Sequence, residues 1–281
     1  MSDATSEVSI RAGARGTNTP GAFWGELAES FRHPEFWALS SWLDIIVRAR
    51  RSRFGILWLF APSVVYVFVL GAFFRGMQSG RPGDFLVHVA LGAMVFRTLM
   101  STVIGSANVF NGSYSFIMDG HMRLTDYILE SLAKSFFDMC MYIPVVVIVL
   151  AFSDHVSLLG VLLAVPTLIL VYVNALWMSV VFSLAGARFP DFGQLLNNIS
   201  IFLFLLTPII WYPEMMPAGS NRGHLMRLNP FYHLVEIFRA PIMGQPVETM
   251  SLWYIGVMTP IGLLVATLAY RRYARYVPLW I

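Results

Sequence analysis

The sequence predicts an all-α polytopic membrane protein, and three observations carry that. Hydrophobic residues make up 57% of the 281 and charged residues 12%, about half the charge of an ordinary soluble domain. Six apolar runs are each long enough to cross most or all of a hydrocarbon core. The arginines that give most of the positive charge cluster at the ends of those runs, Arg97 being the exception within one.

Residues 1–22 are rich in Ser, Thr, Gly and Ala and have no apolar signal-peptide region, so they read as a mobile cytoplasmic tail. Residues 23–53 form a cytoplasmic interfacial region. Phe36, Leu39, Leu43, Ile46 and Val47 fall near helical spacing, with Trp37 and Trp42 beside them and a basic end. That pattern fits an amphipathic helix lying in the headgroup plane, and also an ordinary helix packed on a soluble domain. Arg48, Arg50, Arg51 and Arg53 are the strongest positive cluster and place this end in the cytoplasm.

The expected spans are 54–74, 85–108, 135–153, 158–187, 195–212 and 252–270, within a transmembrane domain of residues 54–276. An even number returns residues 277–281 to the cytoplasm, in agreement with Arg271, Arg272 and Arg275 just past the last span. Between the second and third spans, residues 109–134 are too polar to cross and too patterned for a plain linker. Met118, Asp119, Gly120, His121 and Arg123 form a turn that either presents side chains to a partner or is simply a loop.

Ionisable groups inside spans are costly and therefore candidates for function. Arg97 lies mid-way along the second span, and Asp138 continues an i,i+4 ladder from Glu130 and Lys134. An Arg97–Asp138 pair is expected, as a clamp between helices or as a pore-facing pair. Asn174 is a weaker candidate, since one amide commonly serves a neighbouring helix. Tyr142, Tyr172, Trp177, Phe204, Trp211 and Tyr212 offer aromatic faces that suit sugar rings, helix packing or interface anchoring. Pro208, inside the fifth expected span, should bend that helix.

Residues 213–251 cannot continue as a span, because Glu214, Arg222, His224 and Arg227 are scattered among the apolar residues. After Pro213 a second short helix is expected. Asn229 caps it, Pro230 fits its first position, Phe231, Leu234, Val235 and Phe238 make an apolar stripe, and Glu236 and Arg239 can pair at i,i+3. The segment reads as a re-entrant periplasmic hairpin, against the alternative of a solvent loop.

Much chemistry is absent. Lys134 is the only lysine and stands in SLAKS, without the glycines of a phosphate-cradling loop, so no ATP-hydrolysing P-loop lies in this chain. Neither H-E-x-x-H nor G-x-S-x-G occurs, and the lone Cys140 excludes an intrachain disulfide or cysteine-cluster metal site. No catalytic residue, cofactor, metal site or nucleic-acid surface is expected.

The order of pieces, RARRSRFGILWLFAP running from the interfacial helix into the first span, GARFPDFGQLLNNI after the fourth, LTPIIWYP closing the fifth and LNPFYHLVEIFRAPI before the sixth, resembles the membrane subunit of type-2 ABC exporters of bacterial surface polysaccharide. The likeness runs from about Trp37 to Tyr276. It implies an inner-membrane homodimeric channel, each copy served by a separate ATPase subunit that binds ATP and Mg. It further implies a substrate glycan on a polyprenyl-diphosphate carrier, with O-antigen favoured over capsule or teichoic acid. Met118 to Arg123 would then couple to the ATPase, and Pro213, Asn229, Pro230, Phe231, Glu236, Phe238 and Arg239 would gate the periplasmic mouth. Arg48, Arg50, Arg51 and Arg53 would attract the diphosphate, or else only set topology. The competing readings are a small-molecule or drug permease of the same class and an ion-coupled carrier using Arg97 and Asp138 as its relay.

Overall fold

A computed structural model describes residues 22–51, 53–55, 57–75, 84–120, 122–153 and 156–281, and all the regular structure in them is helical. Residues 1–21 of the expected tail, and His121, lie outside the described residues. Two helices come first, α1 (Ala22–Arg32) and α2 (Glu35–Arg51), both packed on α7 (Leu124–Cys140). The first crossing helix is built of α3 (Leu57–Val64), a π-helical turn (Val65–Leu70) and α4 (Gly71–Arg75). Pro62 in α3 removes one backbone donor three residues before the π segment, where the hydrogen-bond register changes.

α5 (Phe85–Gly112) is the centre of the molecule. Its most apolar stretch is 83% buried, against 17–39% for the other long helices. Around it stand α7, α9 (Leu158–Arg188), α10 (Phe192–Leu206) and α12 (Pro230–Ile242). Small and hydroxylated residues bring two of these close, as expected where hydrocarbon supplies no hydrophobic drive between helices. Thr102 donates to Ser135 at 2.7 Å and Ser106 lies 3.3 Å from Ser131, stitching α5 to α7. At Gly186 of α9 any Cβ would strike the Ala107 carbonyl of α5, so only glycine allows that crossing.

The remaining elements are the short α6 (Tyr114–Met118), α8 (Ile143–Ala151), a 3-10 turn (Pro213–Met215), α11 (Asn221–Arg227), α13 (Thr249–Tyr273), a second 3-10 turn (Ala274–Tyr276) and α14 (Val277–Trp280). Among the described residues five helices are long and apolar enough to cross a membrane: Leu57–Phe74, Phe85–Gly112, Leu124–Ala151, Leu158–Arg188 and Thr249–Trp280.

The fifth expected span needs correcting. α10 has 15 residues, about 22 Å at the helical rise, and stops at Leu206 instead of bending on to Tyr212. Thr207 closes it with its N–H donating to the Leu203 carbonyl, and Pro208 lies beyond. The helix ends here because Thr207, the residue before the proline, is extended at ψ 128°. The third span also begins earlier than expected, since α7 starts at Leu124. Little of 109–134 is left as a connection, because α5 runs to Gly112 and α6 takes up most of the stretch between Gly112 and Asp119.

Candidate functional site

Polar and aromatic side chains gather in three places: under the hairpin, along an aromatic wall of the π-helical turn, α5 and α10, and on the α2–α7 face.

The hairpin starts from sequence-local chemistry. The Asn229 Oδ1 accepts from the Phe231 N–H at 3.0 Å, and Pro230 occupies the first turn of α12. The same Asn229 donates through Nδ2 to Thr207 Oγ1 at 2.8 Å, which ties the cap of α12 to the end of α10. Arg239 and Glu236 meet at 2.9 Å as their spacing predicts. The apolar stripe, however, is not one face of an amphipathic helix. Every residue from Phe231 to Ala240 is buried, His233, Glu236 and Arg239 included. α12 is therefore a core element wedged among α5, α9 and α13.

Each buried charge there is answered. Arg239 Nη1 donates to the Pro208 carbonyl at 2.6 Å and sits 3.1 Å from His88 Nε2. That histidine nitrogen is also 2.9 Å from the Trp211 carbonyl. A neutral ring either donates to Trp211 or accepts from Arg239, so the contact has two alternative arrangements. The Tyr212 ring lies 4.5 Å from His88 and Phe85 packs beside both. Arg227 is the second anchor, with Nη2 at 2.6 Å and Nε at 3.1 Å from the two Glu248 oxygens. Its backbone carbonyl lies 2.8 Å from His233 Nε2, and His233 Nδ1 lies 2.8 Å from Ser251 Oγ. Burial lowers the His233 imidazole from its ordinary range, which keeps it neutral between these partners. The Glu248 side chain raises the Arg227 guanidinium.

The aromatic candidates divide. Phe204 packs edge-on against Tyr66 at 5.8 Å and against Phe96 at 5.7 Å, with Phe231 a further 6.0 Å from Phe96. The Trp211 indole donates to the Leu205 carbonyl at 3.2 Å. Tyr172 packs on Phe136. Asn174 and Trp177 serve packing: the Asn174 amide donates to Thr259 Oγ1 at 3.0 Å and accepts from the Trp177 indole at 2.9 Å, joining α9 to α13.

On the α2–α7 face the expected Arg97–Asp138 pair is replaced. Asp138 accepts from Arg48 at 3.2 Å and from Ser101 at 3.4 Å, whereas the Arg97 guanidinium lies 4.6 Å above the Tyr66 ring. The cause is α2, which packs on α7 and delivers Arg48 where Arg97 was expected. Asp44, 3.3 Å from Arg48 and 4.0 Å from Lys134, and Glu130, 2.9 Å from Lys134, complete a ladder between the two helices. Arg50, Arg51 and Arg53 are exposed and have no ion pair among the described residues.

Two cavities open onto this ladder. One of about 390 Å³ holds Asp44, Arg48, Glu130, Lys134 and Asp138; the other, of about 260 Å³, shares Arg48, Ser101 and Asp138 with it and reaches Arg97 and Tyr142. Nearby, Met118, Asp119 and Gly120 are exposed, with Gly120 at φ +70°, the left-handed region that glycine enters without strain. Arg123 is 3.6 Å from Glu29 of α1 and its N–H donates to Asp126.

His88 is the residue the sequence reading missed. A histidine within the apolar run FLVHVAL is an ionisable group in a span, and that was the signal. Arg227 was seen as polar but not as an anchor, because Glu248 lies 21 residues on.

A central buried helix, crossing helices around it, a packed helical hairpin at one end and a charged helix at the other define a multi-pass membrane protein of the transporter type. The chain belongs to the ABC-2 type transporter family, whose profile matches residues 35–243, from the first residue of α2 to just beyond α12. It is similar to the capsule polysaccharide export inner-membrane protein CtrC of Neisseria meningitidis serogroup A / serotype 4A, 22% identical over 240 residues, which cover 83% of this chain and 88% of that protein. It is also similar to the protein of the same name in serogroup B, 22% identical over 219 residues, with 75% and 81% covered.

Proposed function

We propose that the chain is the channel-forming permease subunit of an ABC exporter that carries a lipid-linked bacterial surface polysaccharide across the inner membrane. What carries this reading is the similarity to two capsule-export proteins along most of the chain, in a family of ABC-2 transporters. Within the surface-polysaccharide class these relatives weigh for capsule, against the O-antigen that the sequence favoured.

In this reading two copies form the channel. α10 supports it: Ile201 and Phe202 are 64% and 72% exposed on a helix too short to span by itself, and a second copy would cover them. Energy comes from a separate ATPase subunit holding ATP and Mg, because this chain has no P-loop. Both termini face the cytoplasm, where the exposed turn at Met118 to Gly120 meets the ATPase. Its motion reaches the core through α7, to which α1, α2 and α5 are bonded. Exposed Arg50, Arg51 and Arg53 draw the carrier diphosphate to the membrane face. At the other end α12 seals the mouth, and Phe204 of α10, backed by the buried Phe96, offers a part-exposed ring for a sugar to stack on.

Co-expression with a P-loop ATPase encoded beside this chain, followed by purification in detergent, tests the assembly. A complex of two copies of each is expected, whereas a chain that always purifies without the ATPase contradicts the reading. The seal has its own test. Pro230→Gly, or Phe231→Ala with Phe238→Ala, should raise leak conductance in planar bilayers, and conductance equal to that of the unaltered chain in both variants would remove α12 from that role.

A further inference from the structure

The two halves of α1 are held by two different elements. In the first half Phe23 packs on the Tyr270 ring at 5.1 Å, and the Tyr270 hydroxyl donates to Glu26 Oε2 at 2.9 Å, which fixes α1 to the end of α13. In the second half Ser30 Oγ lies 2.7 Å from Thr125 Oγ1, and Glu29 lies 3.6 Å from Arg123, which fixes α1 to the start of α7. Phe23, Ser30, Thr125 and Tyr270 are all buried, so water does not readily replace these contacts. α7 and α13 each pack on α1 but hardly on each other.

This placement has a mechanical consequence. Arg123 closes the exposed turn that begins at Met118, and Thr125 stands in the first turn of α7 just behind it. A packed helix of three turns is stiff, so a displacement of that turn is carried along α1 to Tyr270. Tyr270 lies three residues from the end of α13, a continuous helix of 25 residues and about 37 Å. The other end of α13 carries the hairpin. Glu248, its N-cap residue, holds Arg227; Ser251 bonds His233; and the Tyr254 hydroxyl donates to the Leu228 carbonyl at 3.2 Å. Midway, Thr259 is bonded to Asn174 and Gly262 packs under Trp177, both of α9. α13 is therefore gripped at both ends and held to α9 between them. The matched family segment, residues 35–243, contains neither α1 nor α13, so family membership alone does not account for this link.

We infer that α1 is a clamp tying the ATPase-facing turn to α13, and through α13 to the hairpin, with Glu26 and Tyr270 as its positioning residues. The inference rests on the permease reading for the ATPase, but not for the link between α1 and the hairpin. A load on the turn then reaches the hairpin along a chain of bonded elements that leaves α5 aside.

The test uses the full chain, with Cys140→Ser removing its only cysteine and Leu225→Cys placing one on α11, where Leu225 is 56% exposed. In nanodiscs with the ATPase encoded beside this chain, labelling of that cysteine by a charged maleimide is timed with and without ATP. ATP should change the rate several-fold. Tyr270→Phe, which keeps the ring on Phe23, and Glu26→Ala should each remove half or more of that change. Glu26→Gln, whose amide oxygen still accepts, should keep most of it. Thr267→Val, one turn before Tyr270 and bonded within its own helix, should keep all of it. A merely structural α1 would lower the melting midpoint in Tyr270→Phe and Glu26→Ala but leave the ATP response in place, and that result would overturn the inference. So would an ATP response missing from the unaltered complex. The chain without the ATPase gives a second measurement: basal labelling in Tyr270→Phe should shift by about two- to fivefold, the scale of one hydrogen bond, and an unshifted rate in both Tyr270→Phe and Glu26→Ala would count against the clamp. Failure of the clamp and failure of the permease reading are distinct. A complex whose labelling follows Tyr270 and Glu26 but that never delivers glycan loses the permease function and keeps the clamp, whereas one that exports glycan with a response indifferent to both residues loses only the clamp.

Discussion

At the hairpin, Arg239 and Arg227 have side chains 2% and 9% exposed, and each is held by one carboxylate and by backbone carbonyls. On the α2–α7 face, Arg48 and Lys134 are 40% and 35% exposed, and they share Asp44 while pairing separately with Asp138 and Glu130. The same residue types thus do different work. Buried and singly paired charges fix one geometry, because removing a partner strands the other in a poor solvent. Half-exposed charges with shared partners exchange at little cost, since water screens each pair. The hairpin charges are thus fixed more tightly than the half-exposed pairs of the α2–α7 face.

That contrast is most sharply broken at Arg239. Arg239→Ala leaves Glu236 buried and alone and should cost about 3–5 kcal/mol, seen as a large fall in the denaturation midpoint in detergent. Replacing both partners by apolar residues, Arg239→Met with Glu236→Leu, should recover most of it. Arg227→Ala comes next, at about 3 kcal/mol, with the added effect that α11 loosens from α13; cleavage in residues 213–229 by added protease should accelerate. On the other face Arg48→Ala, which leaves two half-exposed carboxylates, should cost less than about 1 kcal/mol, and its small effect should fade in high salt. An Arg48 loss as large as that of Arg239 would erase the distinction.

The smallest effect is one of pH, at Glu26 of α1. Burial pushes its carboxyl above the ordinary value, against the downward pull of the Tyr270 hydroxyl, 2.9 Å away, and of Arg123. A carboxyl raised in the folded state favours folding where it is protonated. Docking of α1 should therefore be tightest below the ordinary carboxylate pKa and should weaken as pH rises through the raised value. Hydrogen exchange in α1, corrected for its intrinsic pH dependence, should show this, and Glu26→Gln should flatten it.

What could be read in the sequence was what neighbouring residues decide. The Asn229 cap, Pro230 at the first turn, the Glu236–Arg239 pair and the Glu130–Lys134 step are all within four residues, and the structure has each of them. What escaped depends on which helices meet. Asp138 was matched to Arg97 by span depth alone, but its partner is Arg48, brought by a helix expected to lie apart in the interface. Asn174, whose amide was already open to serving a neighbouring helix, bonds Thr259, and Trp177 packs close to Gly262, a partner the sequence did not name. Pro208 was placed inside a helix because composition stays apolar past Leu206, but Thr207, the residue before it, is extended at ψ 128° and ends the helix, as a residue before proline tends to do.

The central claim is transport, and reconstitution tests it most directly. Proteoliposomes holding this chain and its neighbouring ATPase, supplied with a polyprenyl-diphosphate-linked capsule glycan, should deliver glycan to the far side only when both proteins and hydrolysable ATP are present. Delivery that proceeds without the ATPase, or ATP hydrolysis in a stable complex with no glycan crossing, would contradict the account.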